Sequence, residues 1–127
     1  MPKFGKRSKG NMKGVDSKLQ NIFNEVVKDF DCTVTEGVRS QERQNELVAQ
    51  GKSKTKFGKH VLCRAMDVYP YPVDFKDRDR FHYFGGYVKG IAKSQGVKIR
   101  WGGDWDGDFE TKDNIFDDLC HFELLDD

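Results

Sequence analysis

The stretch His60-Val-Leu-Cys-Arg-Ala65-Met-Asp67-Val-Tyr69 places a histidine just ahead of a segment with the composition of a β-strand. Alternate side chains of a strand point to one face, so Ala65, Asp67 and Tyr69 are predicted to point together. Asp67 follows the histidine by seven residues. A histidine and a carboxylate from this stretch can therefore face one shared site.

A second histidine lies near the end of the chain, in Cys120-His-Phe-Glu-Leu-Leu125, which has the length and composition of a final strand. Asp118 precedes this histidine by three residues. By the alternation of a strand, His121 and Glu123 share a face and Cys120 points away from it. Cys120 is therefore disfavoured as a ligand beside His121.

Two histidines with carboxylates nearby suggest a metal site. Catalytic zinc typically has three nitrogen or carboxylate ligands from the protein and an open fourth position for water. His60, Asp67 and His121 meet that requirement. A lone histidine is more often structural, and an Asp before a strand often caps a turn, so spacing alone leaves a structural role open. His82, next to Phe81 in a predicted helix, is left out of the site.

The predicted elements mix helices with short strands. Apolar residues at helical spacing predict a first helix that begins at Asp16 or Ser17 and runs to Phe30. A strand over residues 32–36 follows, and then a helix that Ser40 can cap.

The second half of the chain continues this mixture. We predict a third helix over residues 77–95, weakened by Gly85 and Gly86, and a strand over residues 97–101. Helices interspersed with short strands indicate an α+β fold with about three helices and a small, mainly antiparallel sheet.

With 127 residues the chain fits one domain. Basic residues precede any acid at its start, which predicts a basic flexible arm over residues 1–14 and leaves residues 15–127 as the folded domain; the arm either steers the chain to an anionic partner or is a solvated tail. Three cysteines without paired spacing are expected to be free thiols. The sequence has no apolar run long enough for an export signal or a membrane anchor, so we expect neither.

The motifs resemble those of a known family. Gly58-Lys-His60-Val-Leu-Cys63-Arg-Ala65-Met-Asp67 and Asp118-Leu-Cys-His121 are similar to the Ser-x-His-x-x-Gly-x-Ala-x-Asp and Glu/Asp-x-x-His segments of the zinc peptidases that include D-alanyl-D-alanine carboxypeptidases and the L-alanyl-D-glutamate endopeptidases of phages. Gly37-Val-Arg39-Ser40 and Arg100-Trp-Gly-Gly-Asp-Trp105 are similar to two further family segments. The Asp at position 118 looks most like the phage endolysin branch. Gly58 and Cys63 replace the family's Ser and Gly.

The resemblance implies a Hedgehog/D-Ala-D-Ala peptidase-like fold and a Zn2+ ion held by His60, Asp67 and His121. Asp118 matches the family's acid/base position, and Arg39 its arginine, which can clamp a substrate carboxylate or the oxyanion. The implied substrate is bacterial peptidoglycan, cut at the L-alanyl-D-glutamate bond, with a D-alanyl-D-alanine carboxypeptidase as the alternative. We expect a monomer, without nucleic-acid binding or membrane insertion, that stays in the host cytoplasm until lysis and then acts on the cell wall.

Several alternatives stay open at this stage. Cys63 is three residues from His60, which allows a closed His-Cys-Asp-His structural zinc site, and Glu123 competes with Asp118 for the role of base. A non-enzymatic zinc module that binds nucleic acid through the lysines of residues 52–59 is another possibility, although the net charge of +1 argues against it. The carboxylates of residues 104–110 suggest either a calcium loop or an exposed turn.

Overall fold

One antiparallel sheet forms the centre of the fold. The computed structural model describes residues 2–39, 41–51, 63–104, 107, 109 and 118–125. Within them the strands are β1 (Cys32–Glu36), β2 (Ala65–Pro70), β3 (Ile99–Gly102) and β4 (Asp118–Leu124), and they lie in the order β1-β2-β4-β3. The predicted α+β class with an antiparallel sheet is confirmed, and β2 and β4 are its central strands.

Two of the described helices begin at an aspartate that caps them. The described helices are α1 (Lys6–Met12), α2 (Ser17–Val26), α3 (Gln41–Ala49) and α4 (Arg78–Ser94). Asp16 caps α2 by accepting a 2.9 Å bond from the Lys18 amide, and Asp77 caps α4 in the same way. The helix predicted to reach Phe30 ends earlier, and the proposed cap Ser40 lies outside the described residues. No described helix is long and apolar enough to cross a membrane.

The start of the chain differs from the predicted flexible arm. Residues 6–12 form α1, which packs on β1, and both Phe4 and Met12 are buried in the core. The Ser8 hydroxyl accepts a 3.1 Å bond from the Val34 amide, and the Asn11 amide donates a 2.8 Å bond to the Val34 carbonyl. The sequence pattern did not predict this helix, because its few core residues lie among lysines and glycines. It adds a fourth helix to the three predicted.

The main core lies between the sheet and helices α2 and α4. Phe122 of β4 contacts Phe23 of α2 and Phe84 of α4, with ring centroids 5.2 and 5.9 Å apart in edge-to-face geometry, and all three side chains are fully buried. Because side chains alternate along a strand, His121, the residue before Phe122, points to the opposite face of the sheet. The core thus fixes which residues of β4 are available for a site.

Gly85 allows α4 to lie directly against Trp101 of β3. A Cβ atom at this position would overlap the indole ring, whereas a Cβ at Gly86 would meet nothing within 4 Å. The indole Nε1 in turn donates a 2.8 Å bond to the Leu119 carbonyl at the start of β4. The sequence analysis treated both glycines only as weak points of the helix, but Gly85 is needed for close packing.

Alanine substitutions at these two glycines should change stability in opposite directions. Gly86→Ala removes the cost of a helical glycine without a clash, so we expect it to raise the free energy of unfolding by up to about 1 kcal/mol. Gly85→Ala forces the Trp101 ring to move and should lower it by about 1–3 kcal/mol. Equilibrium urea unfolding measures both. Two equally stable variants would contradict the packing of α4 on Trp101.

Candidate active site

Asp67 of β2 and His121 of β4 lie directly opposite each other in the sheet. The imidazole Nδ1 is 3.2 Å from Asp67 Oδ1, and only 11% and 14% of the two side chains are exposed. Antiparallel pairing places opposed side chains on the same face, a few ångströms apart. Two of the predicted ligands, distant in sequence, are therefore brought together, while His60 lies outside the described residues.

The second nitrogen of the His121 ring is held by Glu123. Nε2 is 2.9 Å from Glu123 Oε1, and the other oxygen of this buried carboxylate accepts a 3.1 Å bond from Arg100. Metal-binding histidines usually engage a carboxylate or carbonyl through the nitrogen that does not bind the metal. Glu123 therefore acts as a partner of the imidazole. Sequence reasoning placed Glu123 on this face but gave Arg100 no role there.

The charges around His121 favour a cation at this point. Burial by itself would lower the pKa of His121, but hydrogen bonds with Asp67 and Glu123 and the nearby carboxylate charges raise that pKa to about 9. Burial would raise the pKa of Glu123, yet His121 and Arg100 together lower it. A metal ion bound at Nδ1 would take the place of the proton there, so the donor set of Asp67 and His121 fits a cation.

Asp118 and Cys120 complete this group of side chains. Ligand atoms of Asp67, Asp118 and Cys120 lie within 4.8 Å of one another, and the Cys120 thiol donates a 3.1 Å bond to Asp118 Oδ1. The prediction that Cys120 points away from the site was wrong. The β3–β4 register shifts between Trp101, which pairs with Phe122, and Gly102, which pairs with Asp118, so regular alternation is interrupted around residue 120.

Cys63 is not part of this group. Among the described residues, the ligand atoms that lie within 4.8 Å of one another belong to Asp67, Asp118 and Cys120, and Cys63 is not among them. Cys63 instead has a positive φ of 62°, and its carbonyl accepts a 2.9 Å bond from the Asp16 amide at the start of α2. The closed site with Cys63 as a ligand finds no support in this geometry.

Arg39 lies beside Asp67 and is held on two sides. Its Nε and one terminal nitrogen donate 2.8 Å bonds to the two Glu36 oxygens, and the other terminal nitrogen donates a 2.7 Å bond to Gln44. The guanidinium also approaches Asp67 Oδ2 at 3.6 Å. Burial would lower the pKa of Arg39, but Glu36 and the nearby aspartates raise it. Sequence reasoning found Arg39 but missed Glu36 and Gln44, which fix its orientation.

A cleft of about 190 Å3 opens beside Asp118. Its walls include Tyr69 and the strongly exposed Phe75, and Arg78 lies at its rim. A larger depression of about 650 Å3, around Lys18, contains none of the site carboxylates. Of these two, only the smaller cleft is lined by a carboxylate of the group formed by Asp67, Asp118 and Cys120.

The turn that suggested a calcium loop is only partly described. Asp104 is buried, and its Oδ2 accepts bonds from the Lys89 ammonium at 3.1 Å and from the Phe109 amide at 2.9 Å. The other three carboxylates of this turn, at positions 106, 108 and 110, lie outside the described residues. Asp104 thus serves as an anchor for the turn against α4.

Known proteins share this arrangement of elements. The family model described as phage L-alanyl-D-glutamate peptidase matches residues 1–125. The L-alanyl-D-glutamate peptidase of Escherichia phage T5 is 28% identical over 121 residues, which cover 89% of this chain and 88% of that protein. The crystal structure of the Serratia marcescens L-Ala D-Glu endopeptidase ChiX superposes with a TM-score of 0.80 at 28% identity, covering 98% of this chain and 91% of that one.

A more distant similarity concerns the fold alone. The LD-carboxypeptidase LdcB matches with a TM-score of 0.55 at 20% identity, over 88% of this chain and 57% of that one. Together these matches confirm the family resemblance inferred from the two histidine-bearing motifs, and they confirm the peptidase-like fold.

The two-sided hold on Arg39 predicts that lysine cannot replace it. Lysine keeps the positive charge but cannot form two parallel bonds to Glu36, so Arg39→Lys should lower the free energy of unfolding by about 1–3 kcal/mol. The matched control is Arg43→Lys on the exposed side of α3, which should stay within about 0.5 kcal/mol of the unaltered protein. Urea unfolding measures both variants. Equal stability of the two would show that the paired geometry at Arg39 contributes little.

Proposed function

Since this chain belongs to the phage L-alanyl-D-glutamate peptidase family, we propose that it hydrolyses the bond between L-alanine and D-glutamate in the peptide part of bacterial peptidoglycan. The observation that carries this proposal is the position of Asp67, which lies 3.2 Å from His121 and within 4.8 Å of Asp118, a residue that lines the cleft. The sequence motifs singled out these three residues, and the family match extends over almost the whole chain.

We propose His60, Asp67 and His121 as the ligands of a zinc ion. Asp67 and His121 Nδ1 are close enough to share one cation, and Glu123 holds the opposite side of the imidazole. The place of His60 in this set rests on the family motif. Zinc bound by such ligands supplies a Lewis acid and lowers the pKa of a bound water toward about 7.

Asp118 is the proposed general base. Its carboxylate lies near Asp67 at the mouth of the cleft, where it can accept the proton of the attacking water and then deliver it to the leaving amine. Glu123 competes poorly for this task, because its two oxygens already accept bonds from His121 and Arg100. The geometry therefore favours Asp118 over Glu123.

Arg39 is proposed to bind an oxygen of the substrate. Its bonds to Glu36 and Gln44 use three of the five guanidinium N–H donors, and they turn the remaining part of the group toward Asp67. A fixed cation next to a ligand carboxylate can stabilise the charge that develops on the carbonyl oxygen during attack. It also holds Asp67 in place.

All these groups except His60 are described within one chain, so we propose that a monomer suffices. The relative from Escherichia phage T5 supports a role in phage lysis. On this proposal the protein is made in the host cytoplasm and meets the cell wall once the membrane has been breached.

The products of the reaction test the proposed bond. Incubation with purified peptidoglycan should release peptides with a new amino group on glutamate and leave a new carboxyl group on alanine, both identified by mass spectrometry. Free D-alanine as the product would instead establish carboxypeptidase activity. A chelator should abolish the reaction and added zinc should restore it.

Substitutions at Asp118 and His121 should separate chemistry from metal binding. Asp118→Asn should keep its zinc but lose activity by about 100-fold or more, because a general base typically contributes 100- to 10,000-fold. His121→Ala should lose both. His82→Gln is the control, since His82 bonds the Arg78 carbonyl outside the site and should keep both zinc and activity. Elemental analysis together with peptidoglycan turnover measures the series, and a fully active Asp118→Asn variant would overturn the assignment.

A further inference from the structure

Cys120 carries a buried thiol that the proposed mechanism does not use. Only 8% of the residue is exposed, and its Sγ lies 3.1 Å from Asp118 Oδ1. An ionised carboxylate can only accept hydrogen bonds, so the thiol is the donor in this contact. One oxygen of the proposed base is therefore held by a neighbour two residues away on the same strand.

Tyr69 lies beside this pair in the wall of the cleft. Tyr69, Asp118 and Cys120 all line the same cleft of about 190 Å3. The Tyr69 ring is itself fixed by edge-to-face contacts with Phe75 and Phe81, at centroid distances of 5.3 and 5.7 Å. The carboxylate and the thiol that holds it therefore lie next to a fixed aromatic wall.

The backbone of Asp118 is held by β3. Asp118 is the first residue of β4, and it pairs with Gly102 across an irregularity in the β3–β4 register. A side chain at Gly102 would overlap the Asp118 backbone, so this approach requires glycine. The contact with Cys120 then acts on a side chain whose backbone is already fixed.

We propose that Cys120 is a positioning residue for Asp118. Its hydrogen bond to Oδ1 fixes the rotation of the carboxylate, so that the base meets the attacking water in one orientation. This inference rests on the proposed function, because it takes Asp118 as the base. A competing role for Cys120 is that of a metal ligand, since its sulfur lies within 4.8 Å of the ligand atoms of Asp67 and Asp118.

A series of substitutions in the zinc-loaded protein tests the proposal. Cys120→Ala removes the donor and should lower kcat about 10-fold, the rate equivalent of one hydrogen bond to a charged group, with KM and zinc content unchanged. Cys120→Ser keeps a donor and should restore most of kcat.

Cys32→Ala is the matched control, because Cys32 is also a buried thiol but lies at the start of β1. It should lower stability while kcat of the folded protein stays the same. Turnover is expressed per folded, zinc-loaded molecule, determined by circular dichroism and elemental analysis. An unchanged kcat in Cys120→Ala, or a serine variant as slow as the alanine variant, would overturn the positioning role.

Cobalt substitution separates the two roles of the thiol. A thiolate-to-cobalt charge-transfer band in the unaltered protein that Cys120→Ser lacks would make Cys120 a ligand and overturn the proposal; spectra without such a band support it. Asp118→Asn distinguishes the two levels of failure. If that variant stays active, the proposed base is wrong; if it is inactive while Cys120→Ala is fully active, only the positioning role fails.

Discussion

The pairing of β2 with β4 is the interaction on which the rest of this structure depends. Their antiparallel register sets Asp67 opposite His121 and at the same time turns Phe122 into the aromatic core. A slip of one residue would exchange the two faces of β4, so that the imidazole would point into the aromatic core and Phe122 toward the site. The free energy that buries the core therefore also fixes the geometry of the site.

The polar groups on the site face are arranged so that each carboxylate has a cationic or donating partner. Asp67 lies between His121 and Arg39, Glu123 lies between His121 and Arg100, and Asp118 accepts from Cys120. Buried charges are costly without such partners. The resulting network holds the side chains in place relative to one another, which is the preorganisation that the proposed catalysis requires.

Two glycines allow the close contacts that join α4 to β3 and β3 to the start of β4. Gly85 lets α4 pack on Trp101, and the indole of Trp101 bonds the backbone at Leu119. Gly102 lets β3 approach the backbone of Asp118 from the same strand end. The start of β4, where the proposed base lies, is therefore supported by helix packing as well as by strand pairing.

The sequence by itself determined the four described strands, the helices α2, α3 and α4 and the α+β class, because apolar periodicity and capping residues act over short distances. Its motifs also singled out Asp67, Asp118 and His121 as candidates, whereas His60 lies outside the described residues. Only the tertiary structure decided that α1 belongs to the core, that Glu36 and Gln44 orient Arg39, and that Cys120 faces Asp118. These features depend on contacts between segments that are distant in sequence and on the irregular pairing of β3 with β4. Neither can be read from a local sequence pattern.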